Sequence, residues 1–145
     1  MRVPLKLKFY NFISKFIQQG KTPNFSMDAP KKIRKGEELS VEKLKKYLSN
    51  NKIDADDLLI EQFPSGYSNL TYFLKSSTQE FVLRRPPFGV KSLQGGHDMF
   101  REYNVLKNLK SQFAKVPDVY LYCDDSEIIG APFYLMERVE AVSYT

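Results

Sequence analysis

Three strand-length segments separated by hairpin-length turns, then one helical stripe, then two more strands: this order constrains the chain more than any other feature. Residues 58–63, 70–74 and 81–85 are rich in β-branched, aromatic and leucine side chains. The turn Pro64-Ser65-Gly66-Tyr67-Ser68-Asn69 joins the first two, and Lys75-Ser76-Ser77-Thr78-Gln79-Glu80 joins the second and third. That pattern reads as a three-stranded meander. Pro86-Pro87-Phe88-Gly89 stops it. A helix is expected from Asp98, a possible N-cap, to about Phe113. Residues 119–123 and 133–139 read as two further strands, paired across a turn around Asp124-Asp125. The expected fold class is α+β, a five-stranded antiparallel sheet with one packed helix and helical segments before it.

Upstream, Ser40 is a good N-cap for a helix carrying Val41, Leu44 and Leu48 at helical spacing, and Asn50-Asn51 ends it. Residues 31–57 therefore read as a helical lead-in, and 58–145 as the sheet-bearing unit. Residues 1–30 stand apart as a basic arm and linker. The net charge of +5 comes from the arm: Arg2, Lys6, Lys8, Lys15 and Lys21 face no acid before residue 28, and the remainder holds equal numbers of bases and acids. A nucleic-acid-binding domain spreads its bases over a folded face, so nucleic acid is not an expected partner. Phe9, Phe12, Ile13, Phe16 and Ile17 fall on one side of a helix through the arm. Two readings stay open for it, targeting (mitochondrial) or membrane-surface contact, and docking on the rest of the protein.

Hydrophobic residues make up 42% of 145, enough for a globular core in one domain. No run approaches the roughly 20 apolar residues of a membrane-spanning helix. A single cysteine, Cys123, excludes an internal disulfide and a cysteine-based zinc site. The single histidine, His97, lies in a Gly-Gly-His-Asp stretch that reads as a loop entering a helix.

Three features carry chemistry. On the expected helix, Met99, Glu102, Leu106, Leu109 and Phe113 follow at intervals of three and four, so a carboxylate interrupts an apolar stripe. A buried carboxylate needs a cation. The preceding strand offers Arg84 and Arg85 on opposite faces, Arg84 sharing its face with Val82 and Arg85 sharing the other with Phe81 and Leu83. Spacing alone leaves the partner open, and leaves open a partly exposed structural ion pair. The turn over 63–69 supplies small and polar residues whose backbone N–H groups could approach an anion, though most such turns are only hairpins. Finally, Phe133-Tyr134-Leu135-Met136-Glu137-Arg138-Val139 is an apolar strand running into a charged pair.

Taken together and in this order, these stretches resemble the aminoglycoside-phosphotransferase-like (choline/fructosamine-kinase-like) branch of the protein-kinase fold, nearest to the phosphotransferase domain of acyl-CoA dehydrogenase family proteins. The resemblance covers roughly 31–141. It rests on 33–39, on 62–72, on Val82-Leu83-Arg84-Arg85-Pro86-Pro87-Phe88-Gly89, on Arg101-Glu102-Tyr103, and on 130–140.

The resemblance implies a kinase-like N-terminal lobe that binds ATP weakly. Ser65, Gly66, Ser68 and Asn69 would lie over the phosphates. Val82 would roof the adenine. Arg84 would take the place of the strand lysine on the α/β-phosphates, with Glu102 orienting it. Met136 would sit behind the adenine, and the Glu137 carbonyl and Val139 N–H would bond its edge. No catalytic residue is expected within the chain: the family's catalytic-loop Asp, the following Asn and the Mg²⁺-binding Asp have no counterpart. Mg²⁺ would be held only in a full-length parent. On this reading the chain is a truncated product, a partial gene model or a fragment. It would be the ATP-binding lobe of a small-molecule O-phosphotransferase, not catalytic alone. The alternatives are a non-catalytic interaction module, whose exposed sheet face a missing lobe or partner protein would cover, and a piece of a longer acyl-CoA-linked kinase/dehydrogenase protein.

Overall fold

The computed structural model describes residues 29–64, 69–89 and 98–138. The arm before residue 29, His97, and the expected site residues Ser65, Gly66, Ser68 and Val139 lie outside the described residues. In chain order the elements are α1 (Val41–Asn50), β1 (Leu59–Gln62), β2 (Leu70–Lys75), β3 (Glu80–Arg85), α2 (Met99–Leu109), β4 (Val119–Cys123), α3 (Ser126–Ile129) and β5 (Phe133–Glu137). The five strands form one antiparallel sheet in the order β1-β2-β3-β5-β4. This is the expected α+β architecture.

Strand alternation divides the sheet into two faces, and each collects its own core. Phe81 and Leu83 of β3 join Tyr72, Leu74, Phe133 and Leu135 on one face, where Leu44 and Leu48 of α1 cover them. Val82 joins Phe73, Tyr134 and Met136 on the other, beneath Met99 and Leu106 of α2. Burying each such side chain stabilises the fold by about 1.5–3 kcal/mol. The helix α1 forms as its sequence suggests. The Ser40 hydroxyl accepts from the Lys43 N–H at 3.4 Å, and Leu44 and Leu48, four residues apart, share the buried face. Tyr47 stands edge-on to Phe133, with ring centroids 5.7 Å apart.

The lead-in is bonded to the sheet edge. Lys31 and Gln62 exchange backbone hydrogen bonds of 2.8 Å each way. The buried Gln62 amide accepts from the Arg34 N–H at 2.9 Å and donates to Glu37 at 2.5 Å. The Tyr72 hydroxyl donates to the Glu37 carbonyl at 2.6 Å. Burial pushes the Glu37 carboxyl up, but the bonds from Gln62 and Arg34 outweigh it and hold the group below its usual value. Farther on, one Asp54 oxygen accepts from the hydroxyls of Ser76, Ser77 and Thr78, clamping the β2–β3 turn.

The expected elements differ from the structure in three places. The helix α2 stops at Leu109, short of Phe113, because the chain tightens into turns there: Gln112 and Phe113 both donate to the Leu109 carbonyl, at 2.9 and 2.8 Å. Phe113 still packs on the α2 core from the turn. The strand β5 ends at Glu137 rather than 139. The connection around Asp124-Asp125 is more than a turn. Asp125 caps the short helix α3, accepting from the Glu127 N–H at 2.9 Å, and Gly130 ends it with φ +88°.

Candidate functional site

The face beneath α2 is built in three rows across the strands. Register places Thr71 opposite Arg84 and Arg84 opposite Tyr134. One same-face step along, Phe73 lies opposite Val82, and Val82 opposite Met136. A further step pairs Lys75 with Glu80, and the same progression sets Arg138 beside Glu80. The middle row is apolar and sealed: Phe73 is 4% exposed, and Val82 and Met136 are fully buried. Polar groups border it on both sides.

The first row holds an ion pair and its hydrogen-bonding partners. Glu102 projects from the buried stripe of α2 and meets Arg84, with Nε to Oε1 at 2.5 Å. The side chains retain 15% and 18% of their exposure, so the pair sits at the rim of the core rather than in its middle. Tyr134, fully buried, donates its hydroxyl to the same Glu102 oxygen. The buried Asn69 side chain donates to the other Glu102 oxygen at 3.4 Å. Arg84 also donates from Nη1 to the Thr71 hydroxyl at 3.3 Å. Burial alone would lower the Arg84 pKa, but the Glu102 charge prevails and the guanidinium is held more firmly protonated than usual. Burial, reinforced by Glu102, pushes the Tyr134 phenol well above its ordinary value, so it remains a donor.

Of the two arginines that spacing left open, Arg84 is the one that reaches Glu102. Arg85 is also buried, on the opposite face, at 2% exposure. It donates to the carbonyls of Pro86 and Ile129 at 2.9 and 2.7 Å and lies 3.6 Å over the Phe88 ring centroid. Burial lowers its pKa.

The structure thus gathers Asn69, Val82, Arg84, Glu102 and Met136 on one face. Glu137 closes β5: its N–H donates to the Asp118 carbonyl at 2.7 Å, and its carboxylate accepts from the Asp118 N–H at 3.2 Å. Tyr134 and Thr71 complete the network and were not singled out from the sequence. The signal for Tyr134 is its alternation with Met136, which turns both toward α2. The third row was missed as well. Arg138 bridges to Glu80 at 3.0 Å and lies 4.4 Å over the Phe73 ring centroid. Among the described residues no group of three or more His, Cys, Asp or Glu side chains could hold a metal ion.

Comparison with known proteins agrees with the fold. Residues 59–145 match the family model APH, described as the phosphotransferase enzyme family. Acyl-CoA dehydrogenase family member 11 of Gallus gallus is 42% identical over 86 residues, covering 59% of this chain and 11% of that protein. Family member 10 of Mus musculus is 41% identical over 83 residues, covering 57% of this chain and 8% of that protein. The chain therefore spans about a tenth of the length of these relatives. A crystal structure from Ralstonia eutropha, provisionally described as an aminoglycoside phosphotransferase, superposes with a TM-score of 0.58 at 31% identity, over 71% of this chain and 29% of that one.

Proposed function

This chain belongs to the phosphotransferase enzyme family, and from that premise we propose that it forms the ATP-binding lobe of a small-molecule O-phosphotransferase. The observation that carries the proposal is the Arg84–Glu102 pair at the rim of the α2 face. A triphosphate needs a fixed cation whose position survives the approach of several negative charges. Arg84 meets that need: Glu102 holds its Nε, Thr71 holds its Nη1, and Tyr134 and Asn69 hold Glu102 in turn. The residues present fit an anionic nucleotide on this face.

In this reading Arg84 takes the α/β-phosphates. The apolar row of Phe73, Val82 and Met136 lies where the base would stack, and the backbone of Glu137 meets its edge. Transfer of the γ-phosphoryl group is largely positioning and charge neutralisation. No base for the acceptor hydroxyl and no ligand set for Mg²⁺ is proposed among the described residues, and the reading predicts weak nucleotide binding without turnover by these 145 residues. The names of the acyl-CoA dehydrogenase relatives favour an acyl-CoA-linked hydroxyl compound as acceptor over an aminoglycoside.

Isothermal titration of the 145-residue chain with ATP tests the reading. Weak saturable binding that Arg84→Ala abolishes supports it. Binding that is indifferent to Arg84→Ala, or phosphoryl transfer by the chain alone, sinks it.

A further inference from the structure

The proposed base-stacking surface is covered by a side chain of the same lobe. Phe73, Val82 and Met136 form an apolar strip across β2, β3 and β5, yet almost none of it is open to solvent. Helix α2 packs on the strip through Met99 and Leu106. At the other border lies Arg138, one residue past the end of β5. Its guanidinium sits 4.4 Å above the centroid of Phe73, and Glu80, its neighbour on β3, holds Nη1 at 3.0 Å. A guanidinium is flat and delocalised, and it stacks on an aromatic face as a purine does. The two groups compete for the same kind of surface.

Resting on the nucleotide reading above, we infer that Arg138 is a latch on the base site: held by Glu80 over Phe73, it occupies the stacking surface and must be displaced when adenine enters. The latch holds through two modest interactions, a cation–π contact and a partly exposed ion pair, so it opens at small cost. It lowers nucleotide affinity without closing the site. The Arg84 network lies two rows away and is untouched by it.

The sign of one substitution separates this inference from general electrostatics. Removing a cation beside a polyanion ordinarily weakens binding. Removing the latch strengthens it. The experiment compares wild type, Arg138→Ala and Glu80→Gln of the 145-residue chain, using ATP and uncharged adenosine as probes. Hydroxyl-radical footprinting of Phe73 is followed in parallel.

The latch predicts that Arg138→Ala binds both probes about two- to fivefold more tightly. Glu80→Gln should move adenosine affinity in the same direction, and Phe73 labelling should rise in both variants. The inference is overturned if wild type binds but Arg138→Ala binds no better, or if Phe73 labelling does not change. Failure of every variant to bind either probe at millimolar concentration overturns the nucleotide reading and the latch with it. Unchanged affinity in Arg138→Ala, set against lost affinity in Arg84→Ala, overturns the latch alone.

Discussion

Glu102 Oε1 receives both Arg84 Nε, at 2.5 Å, and the Tyr134 hydroxyl, so one carboxylate oxygen ties helix α2 to two neighbouring strands, β3 and β5. Removing the carboxylate alone leaves Arg84 desolvated without its counter-ion. Such a loss costs about 3–5 kcal/mol in a buried pair. Residual exposure of 15% and 18% puts this pair at the lower end. Glu102→Ala should therefore lower unfolding stability by about 3 kcal/mol in urea, and the double variant Arg84→Met/Glu102→Met should recover most of that loss while losing ATP binding. A loss under about 1 kcal/mol for Glu102→Ala would show a solvent-screened pair.

Tyr134 supplies a hydrogen bond to an ionised acceptor inside the core. Such bonds contribute about 1.5–3 kcal/mol. Tyr134→Phe keeps the ring, including its tilted contact with Tyr103 at 6.3 Å, so the change reports the hydroxyl. We expect a loss of about 2 kcal/mol. The loss should shrink when measured in the Glu102→Gln background, because the two groups share one network. Additive losses would mean that the hydroxyl does not bond to Glu102.

The first and second rows of the site were legible in the sequence to different degrees. The 3-4-3-4 stripe exposed Glu102 as a carboxylate among apolar neighbours, and strand alternation put Val82 and Arg84 on one face. Those are local periodicities, and they persisted through folding. Tyr134 and Thr71 required the register between strands 13 and 50 residues distant from β3's Arg84, and register is set by tertiary pairing. The burial of Arg85 was not legible for a related reason: alternation assigns it a face, and only tertiary packing covers both faces of this sheet, by α1 and by α2. The helix α3 was hidden in a nine-residue connection too short to show a period, with only Asp125 and Gly130 as its end signals.

Gly130 offers a test of that connection. Its φ of +88° lies in the left-handed region, and an added Cβ would come no closer than 3.8 Å to Arg85 Nη1. That distance is an ordinary contact, so backbone conformation decides the cost rather than a clash. Gly130→Ala should destabilise by about 1–2 kcal/mol, and Gly130→Asn by less, since Asn tolerates this region. Thermal unfolding of the two variants checks the order. Equal losses would point to side-chain crowding instead.

The Asp54 clamp predicts an acid-dependent loss of stability. The Thr78 hydroxyl does most to lower the Asp54 pKa, followed by the Asp56 N–H, with Ser76 and Ser77 adding to it, and the carboxyl is brought to about 2. An unfolded aspartate titrates near about 3.9. The folded value is the lower one, so the unfolded state binds more protons between them, and stability rises with pH across that interval. The clamp's contribution is complete above roughly pH 4 and disappears as pH falls through about 2. Asp54→Asn removes the titration. Urea unfolding of wild type and Asp54→Asn between those limits should give curves that converge toward the acid end and separate above it. Parallel curves would show that the three hydroxyls do not hold the carboxylate in solution.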